Sequence, residues 1–221
     1  MTKRLIIAID GPSGVGKGTI SRRVAAALGY RHVDTGAMYR AVGWAALHAG
    51  VAMDAEDDVV RIAAGLAIDV DDGRVAVDGR DITAAIRTPA IDRVASAVSQ
   101  LPRVRRILVE RQRALGQGGG IVMEGRDIGT VVFPGADVKI YLDAAPEERA
   151  RRRAADSSHV GSRGMSLDAV ASEMAARDRA DSTRAASPLR PAEDAHVVDT
   201  TGVSIDEVVR RVLEIVEKAK G

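Results

Sequence analysis

The sequence of 221 residues contains no cysteine, no asparagine and only five aromatic residues. Without cysteine, the chain can form neither a disulfide nor a thiolate nucleophile, and it cannot bind zinc or an iron–sulfur cluster through sulfur. Without asparagine, it lacks the Asn-Lys-x-Asp segment with which GTPases read guanine. The scarcity of aromatic rings argues against an RNA-binding surface, because such surfaces stack bases on aromatic side chains.

A strong charge imbalance and a long apolar run are also absent. The 32 Lys and Arg residues nearly balance the 31 Asp and Glu residues, so no overall field attracts nucleic acid or an anionic membrane surface. The apolar run Leu5–Ile9 is short, whereas a signal peptide needs about 7–15 apolar residues and a membrane-spanning helix about 20. We therefore expect a cytoplasmic protein with no nucleic-acid or membrane partner, and the length favours a monomer with a single domain.

Short apolar runs alternate with amphipathic helical segments along most of the chain. Such runs are typical of strands that are buried on both faces of a parallel sheet. They occur at residues 5–9, 32–33, 121–123, 138–142 and 197–198. The alternation predicts an α/β fold in which a parallel sheet is flanked by helices.

One stretch interrupts this alternation. Residues 67–70 and 74–77 alternate apolar and polar side chains around an Asp-Asp-Gly turn, a pattern that predicts an antiparallel hairpin. We interpret it as a small subdomain inserted at about residues 58–101 into a core formed by residues 1–57 and 102–221. The polar segment at about 156–165 has little to bury and joins two predicted helices, so we expect it to be a mobile lid.

A glycine-rich loop, the P-loop, follows the first strand and opens the first helix. Its sequence is Gly-Pro-Ser-Gly-Val-Gly-Lys-Gly-Thr at residues 11–19. Glycines at its first and sixth positions let successive N–H groups converge on the phosphates of a nucleotide, and Lys17 can reach the β- and γ-phosphates. The usual loop has Ser or Thr after this lysine, whereas here Gly18 precedes the hydroxyl of Thr19. This variation favours small-molecule kinases that phosphorylate nucleoside monophosphates.

Two further segments begin where strands end, and such positions face the ligand crevice of an α/β sheet. The first is Asp-Thr-Gly-Ala-Met-Tyr-Arg at residues 34–40, in which Arg40 can bind a phosphate and Tyr39 can lie against a ring. The alternative is a solvated Arg40 and a core Tyr39. The second is Glu-Gly-Arg-Asp at residues 124–127, which suits a magnesium-bound phosphate or the acceptor, or alternatively forms a surface ion pair.

Arginine accounts for 27 of the 32 basic residues, and two predicted helices are rich in it. Helical spacing places two sets of residues on one face each: Arg149, Arg152 and Arg153, and Arg177, Asp181 and Arg184. Either face can simply be solvated. Beside a mobile lid and opposite the P-loop, the arginines can instead close onto a transferring phosphoryl group, whose charge is spread over several oxygens.

Together these motifs resemble the bacterial cytidylate kinase family over nearly the whole chain. The P-loop is shared by nucleoside monophosphate kinases in general, whereas the hairpin and the later segments are much more specific. These segments are residues 34–40, Arg-Thr-Pro at 87–89, Pro-Arg-Val-Arg at 102–105, Gly-Arg-Asp-Ile-Gly-Thr-Val-Val-Phe-Pro at 125–134 and Arg-x-x-x-Asp-x-x-Arg at 177–184. The resemblance implies a P-loop fold with a nucleotide-binding insert, and phosphorylation of CMP and dCMP by ATP with magnesium.

The resemblance also implies roles for individual residues. It implies ATP binding by Gly11, Pro12, Ser13, Gly14, Val15, Gly16, Lys17, Gly18 and Thr19, and a catalytic set of Lys17, Arg126 and Asp127. It places the acceptor phosphate at Arg40, Arg126 and Arg184, the cytosine edge at Ser96, Arg105 and Asp127, and the pentose at Arg177 and Asp181, with Thr35 and Tyr39 nearby. It places Arg149, Arg152 and Arg153 in the lid. The histidines lack ligand-like spacing, so we expect no metal site built from protein ligands.

Two positions depart from the family pattern, and two other functions stay open. Thr35 stands where serine is common, which keeps the hydroxyl, and Glu124 stands where aspartate is common. One alternative is a P-loop kinase of another acceptor, such as UMP, AMP or shikimate, although the hairpin and the chain length argue against the shikimate type. The other is a non-catalytic nucleotide-binding regulatory protein, against which Lys17, Arg40 and Arg126 argue.

Overall fold

The computed structural model describes residues 4–156 and 165–220. Its strands are β1 (Ile6–Asp10), β2 (Arg31–Asp34), β3 (Ile68–Asp71), β4 (Arg74–Val77), β5 (Arg80–Asp81), β6 (Ile121–Gly125), β7 (Val138–Asp143) and β8 (His196–Asp199). Its helices are α1 (Lys17–Leu28), α2 (Thr35–His48), α3 (Glu56–Gly65), α4 (Pro89–Val98), α5 (Pro102–Gly116), α6 (Pro146–Ala155), α7 (Leu167–Thr183) and α8 (Ile205–Ala219). A π-helical turn, Ile128–Val132, follows β6. Most of the predicted lid, residues 157–164, lies outside the described residues.

Strands β2, β6, β1, β7 and β8 form a parallel sheet in that order. Strand β1 therefore lies between β6 and β7, with Ile9 opposite Glu124 on one side and Ile140 on the other. Parallel strands end at the same edge of a sheet, so the P-loop after β1 lies between the segments that follow β6 and β7. The predicted α/β fold with a parallel sheet flanked by helices is confirmed.

Helices cover both faces of this sheet, which explains why β1 and the first part of β6 are apolar runs. Ile7 and Val122 pack on one face with residues of α1 and α8. Ala8 and Met123 pack on the other face with residues of α2 and α5. Successive residues of a strand point to opposite faces, so neighbours such as Ile7 and Ala8 enter different clusters.

Local sequence explains where several helices begin and end. Gly29 follows α1 with a φ of 65°, in the left-handed region that favours glycine. The carboxylate of Asp34 accepts the N–H of Ala37 at the start of α2, and the Ser204 hydroxyl accepts the N–H of Glu207 at the start of α8. Within the described ranges, none of the helices has the length and apolar character needed to cross a membrane.

The insert contains more structure than the hairpin. Strands β3, β4 and β5 form an antiparallel sheet, of which only β3 and β4 were predicted. Helix α4 was not predicted either, although Thr88 caps it and Pro89 opens it, both of which are helix-start signals. Helix α3 crosses the expected boundary at residue 58, and its Val59 packs in the same cluster as α2. The division into core and insert stays a prediction.

Candidate active site

A cavity of about 730 Å³ opens at the carboxyl edge of the parallel sheet. The P-loop, the start of α2, the insert, the segment after β6 and helices α6 and α7 contribute to its walls. The predicted site residues that line it are Ser13, Gly14, Val15, Gly16, Lys17, Gly18, Thr19, Thr35, Tyr39, Arg40, Ser96, Arg105, Arg126, Asp127, Arg152, Arg153, Arg177, Asp181 and Arg184. Three others, Gly11, Pro12 and Arg149, do not line it.

The P-loop has a backbone that only glycine adopts readily. Gly11, Gly14 and Gly16 have φ angles of 152°, 79° and 90°. A Cβ atom at Gly11 would lie 2.2 Å from the carbonyl oxygen of Leu142, so the approach of the loop to β7 also requires glycine. Helix α1 begins directly behind the loop, and its N-terminus adds partial positive charge. The loop is therefore built to bind an anion.

The ammonium group of Lys17 is buried at the base of the loop. Its Nζ donates to the carbonyl oxygen of Pro12 at 2.6 Å. Burial, together with the nearby Arg126 guanidinium, lowers the pKa of Lys17 well below its usual range, and the Glu124 carboxylate opposes this effect. A phosphate in the loop would stabilise the charged form of the lysine. The arrangement suits a lysine whose counter-ion is a ligand.

A buried network of arginines and aspartates joins the segment after β6 to α5 and α7. Arg126 donates to Asp181 at 3.1 Å, and Arg105 pairs with Asp127. Arg184 lies 3.6 Å from Asp181 and 3.8 Å from Asp127. Buried charges are costly unless they are paired, so the two aspartates hold the three arginines in place. A guanidinium has five N–H donors, which leaves some of them available to a ligand.

Basic side chains outnumber acidic side chains among the residues that line the cavity. Burial, together with the guanidinium groups of Arg126 and Arg40, lowers the pKa of Arg177 to about 10. The Arg105 guanidinium lies 5.5 Å from the centre of the Tyr39 ring. Burial raises the pKa of Tyr39 to about 12, so its hydroxyl stays protonated. Crowded cations of this kind favour an anionic ligand.

Asp92 of α4 connects the insert to two other elements of the site. Its carboxylate accepts from Nε of Arg40 at 3.0 Å and pairs with Arg153 of α6. It also lies 3.9 Å from Arg177. The sequence did not indicate Asp92, because α4 itself was not predicted. Ser96, one turn further along α4, lines the cavity.

The three arginines of α6 contact different parts of the molecule instead of forming one free face. Arg149 donates to the carbonyl oxygen of Ser13 at 3.1 Å, and Arg152 donates to that of Thr200 at 2.6 Å. Arg153 reaches α4, as described above. These contacts hold α6 against the P-loop, the end of β8 and the insert. Their assignment to a lid stays a prediction, because most of the predicted lid lies outside the described residues.

Asp10 is a buried carboxylate beside the site, and the sequence analysis did not predict its role. It ends β1 and accepts the backbone N–H groups of Ile128 and Gly129, each at 2.8 Å. Burial raises the pKa of Asp10 to about 6. The two hydrogen bonds fix the turn that directly follows Asp127. A carboxylate at the end of an apolar strand, just before the P-loop, was the available signal in the sequence.

His32 and Glu124 form a second pair beside the site, and His32 was not predicted to take part. Nε2 of His32 lies 2.9 Å from Oε1 of Glu124. The same Oε1 lies 3.5 Å from the position that a Cβ atom would take at Gly18. The Thr35 hydroxyl donates to the carbonyl oxygen of Glu124 at 2.7 Å. Glu124 is therefore held at the start of α1 by contacts from β2 and α2.

The oxygen atoms around the P-loop fit magnesium. Thr19 and Glu124 both line the cavity, and their hydroxyl and carboxylate oxygens are donors that Mg²⁺ prefers. In residues 4–156 and 165–220, no group of three or more His, Cys, Asp or Glu side chains could hold a metal ion. Beside bound phosphates, Thr19 and Glu124 are the residues that would hold magnesium.

Comparison with known proteins shows similar sequences over nearly the whole chain. The family model described as cytidylate kinase matches residues 7–218. The chain is 49% identical over 220 residues to the cytidylate kinase of Syntrophotalea carbinolica, which covers 98% of this chain and 93% of that protein. It is 46% identical over 216 residues to the cytidylate kinase of Vibrio cholerae, which covers 96% of each.

A solved structure shows the same fold at much lower identity. An uncharacterized protein from Eubacterium ventriosum aligns with a TM-score of 0.56 and 10% identity, covering 98% of this chain and 99% of that one. This likeness concerns the fold alone. The family match and the full-length relatives go further, and they show that the chain belongs to the cytidylate kinase family.

Proposed function

We propose that this chain transfers the γ-phosphoryl group of ATP to CMP and dCMP, which yields ADP with CDP or dCDP. The observation that carries the proposal is a single cavity that joins the P-loop and its buried lysine to a buried arginine–aspartate network. The names of relatives that match almost the full chain support the choice of acceptor.

The donor side is the P-loop. Its N–H groups and the N-terminus of α1 bind the polyphosphate, and Lys17 exchanges its hydrogen bond to Pro12 for phosphate oxygens. An oxygen of the acceptor phosphate attacks the γ-phosphorus as the bond to the bridging oxygen breaks, and ADP leaves with the electron pair. Magnesium, when bound, neutralises charge on the phosphates. Lys17 stabilises the charge on the transferring group.

The acceptor phosphate binds to Arg40, Arg126 and Arg184. Planar guanidinium groups bind phosphate oxygens in pairs, which orients the attacking oxygen as well as attracting it. Arg40 and Arg126 currently donate to Asp92 and Asp181 through Nε. Nη1 of Arg126 also donates to the carbonyl oxygen of Gly125, and Nη1 of Arg40 lies 3.6 Å from Asp34. The N–H groups that these contacts leave over are then available to the acceptor, and the carboxylates keep the arginines aligned. The Arg149, Arg152 and Arg153 set would close the donor side as part of a lid.

Cytosine recognition requires one acceptor and two donors on the protein, because the base offers an amine and two acceptor atoms. Asp127 accepts from the amine, while Arg105 and Ser96 donate to the acceptor atoms. Uracil would present an oxygen to the Asp127 carboxylate, which repels it. Tyr39 packs beside the base, next to Thr35. Arg177 and Asp181 contact the pentose.

An acceptor panel tests the proposal. Purified protein is incubated with ATP and magnesium, and ADP release is measured with CMP, dCMP, UMP, AMP, dTMP and shikimate in parallel. Turnover led by CMP and dCMP is expected. Faster turnover of another acceptor would support a P-loop kinase but reject the assignment of the cytosine-reading residues. No ADP release with any acceptor, while ATP still binds, would favour the regulatory alternative.

We also infer that the active unit is a monomer in the cytoplasm. Residues of one chain surround the cavity on the donor and the acceptor sides, so the arrangement needs no second copy. Light scattering at assay concentration should give the mass of one chain, and a dimer mass would contradict the inference. Cell fractionation tests the compartment.

A further inference from the structure

Two buried polar side chains lie side by side on the sheet beneath the start of α1. The parallel register places His32 of β2 opposite Val122 of β6, so Glu124 is two residues further along on the same face. That face is covered by α1, where Ile20 belongs to the same cluster as Val122. The side chains of His32 and Glu124 are 2% and 6% exposed. A glutamate is rarely buried to this extent unless it is paired.

The hydrogen bond between the two side chains has a defined direction. Nε2 of His32 lies 2.9 Å from Oε1 of Glu124. Nδ1 of His32 is buried, and no hydrogen-bond partner for it lies within the described residues. A buried N–H without an acceptor is costly, and a carboxylate can only accept. The proton of the imidazole therefore belongs on Nε2, which donates to Glu124.

This hydrogen bond determines where the Glu124 carboxylate points. The Thr35 hydroxyl fixes only the backbone end of Glu124, through its carbonyl oxygen. Within the described part of the chain, His32 is the side chain that donates to the carboxylate itself. A glutamate side chain has several rotatable bonds, so a donor at its tip selects one orientation from many.

The selected orientation faces the P-loop. Oε1 and Oε2 of Glu124 lie 3.5 and 3.9 Å from the Cβ position of Gly18, the residue at which the usual loop carries a hydroxyl. The charge of Glu124 also raises the pKa of Lys17 against the effect of burial. The carboxylate is therefore placed where the phosphates of a nucleotide and its magnesium ion bind.

We propose that His32 is a positioning residue that holds the Glu124 carboxylate toward magnesium–ATP at the P-loop, an inference that rests on the function proposed above. His32 does not touch the nucleotide and acts through Glu124. Partners that orient a metal-facing ligand are worth about 10- to 100-fold in metal affinity or activity. The role of His32 should therefore appear in the effect of magnesium on nucleotide binding.

The test compares binding of a fluorescent ATP analogue with magnesium and with a chelator. His32→Phe keeps a ring and removes the donor, and His196→Phe makes the same change at an exposed position of β8. His32→Phe should reduce the gain in affinity from magnesium about 10- to 100-fold, whereas its affinity for the analogue in the presence of the chelator should not change. The KM of His32→Phe for CMP should equal that of the wild type, and His196→Phe should bind the analogue as the wild type does. An unchanged gain in folded His32→Phe would overturn the proposal.

A double-mutant comparison separates positioning from packing. Glu124→Gln should lose a similar part of the magnesium effect, and His32→Phe should then add little in the Glu124→Gln background. Full additivity would mean that His32 acts independently of Glu124, which contradicts the proposal. If His32→Phe does not fold, His32→Gln should retain the magnesium effect through its N–H donor, and His32→Leu should lose it. Equal effects of Gln and Leu would also contradict it.

The binding assay uses no acceptor, so it stands apart from the acceptor panel. A wild-type protein that binds magnesium–ATP but phosphorylates none of the acceptors would reject the proposed function. The same protein could still show the His32 effect on binding. A failure of the acceptor panel and a failure of the binding assay can therefore be told apart.

Discussion

Single residues in the cavity carry charges that the protein itself compensates only in part. Burial and neighbouring cations lower the pKa values of Lys17 and Arg177, while Asp127 and Asp181 offset the other arginines. An anionic ligand relieves the remaining repulsion. At such positions function and stability oppose each other, because the site is prepared for a charge that only the substrate brings.

Lys17→Met tests this opposition directly. The variant removes a buried ammonium whose pKa is lowered by burial, so the free energy of unfolding should rise by about 0.5–2 kcal/mol. The kcat should fall by about 10²- to 10³-fold, because a donor to the transferring group is lost. Urea denaturation and ADP release measure the two effects. Lys218→Met, at an exposed lysine, is the control, and near-normal turnover of Lys17→Met would contradict its role.

Asp10 predicts a pH dependence of stability. Its pKa is about 6 in the folded chain against 3.8 for a free side chain, so the folded state binds the proton more tightly. The contribution of Asp10 to the free energy of unfolding is therefore fully present below pH 3.8 and is lost as the pH rises through about 6. The unfolding free energy of wild type minus that of Asp10→Asn should fall by on the order of 3 kcal/mol between about pH 4 and 7. A constant difference in urea denaturation would reject this.

Asp181→Ala tests the acceptor side of the cavity. Asp181 holds Arg126 and Arg184, so its loss should raise the KM for CMP by about tenfold, the equivalent of one charged hydrogen bond. The KM for ATP should change less than about twofold, since the P-loop is untouched. Asp168→Ala, an exposed aspartate on the same helix, is the control. Equal weakening of both nucleotides would place Asp181 outside the acceptor site.

Among the elements, the hairpin of the insert packs against the edge of the parallel sheet. Arg31 of β2 donates to the carbonyl oxygen of Val70 in β3 at 2.9 Å and lies 3.4 Å from Asp71. Arg22 of α1 lies 3.6 Å from Asp72 in the turn. Val70 also lines the cavity, so the packing of the hairpin shapes the cavity wall.

Arg31→Gln should loosen the hairpin without unfolding the chain. The contacts are partly exposed, so each contributes about 1 kcal/mol or less. Amide hydrogens of β3 and β4 should then exchange up to about fivefold faster, and those of β1 and β6 should not change. Arg23→Gln removes an exposed pair with Asp206 outside the insert and is the matched control, which should leave exchange in β3 and β4 unchanged. Uniform acceleration across the whole sheet would indicate global destabilisation instead.

Across the whole molecule, the cavity draws on the P-loop, the insert and helices α6 and α7, so a bound nucleotide connects parts that are distant in sequence. Asp92 already links Arg40 of α2 to Arg153 of α6. A ligand that binds only the folded chain stabilises all of these parts together by mass action. The melting temperature in the presence of each nucleotide should therefore show which acceptor the protein binds.

CMP should raise the melting temperature more than AMP does. At a CMP concentration of about 100 times its Kd, the gain is about 2.7 kcal/mol, and a domain of this size shifts by about 2–4 °C per kcal/mol. The expected shift is therefore about 5–11 °C, and AMP at equal concentration should give less than half of it. Thermal scans measure both. Equal shifts for CMP and AMP would contradict cytosine reading by Asp127.

Much of the fold and of the site could be predicted because their signals are local. Burial on both faces makes β1 an apolar run, the P-loop needs glycine at fixed spacings, and Ser204 marks the start of α8. Two elements escaped prediction. Strand β5 has only two residues, too few to show a pattern, whereas α4 was missed although Thr88, Pro89 and the helical spacing of Ile91, Ala95 and Val98 marked it.

The sequence by itself determined the class of fold, the P-loop and the family motifs, since each depends on residues that are neighbours along the chain. Only the tertiary structure decided which charges meet. Asp92 reaches Arg40 across 52 positions, and His32 reaches Glu124 across 92. Such pairs depend on strand order and register, which place β2 beside β6 and which local propensity does not specify. The partners of Asp10, Asp92 and His32 therefore became visible only in the folded chain.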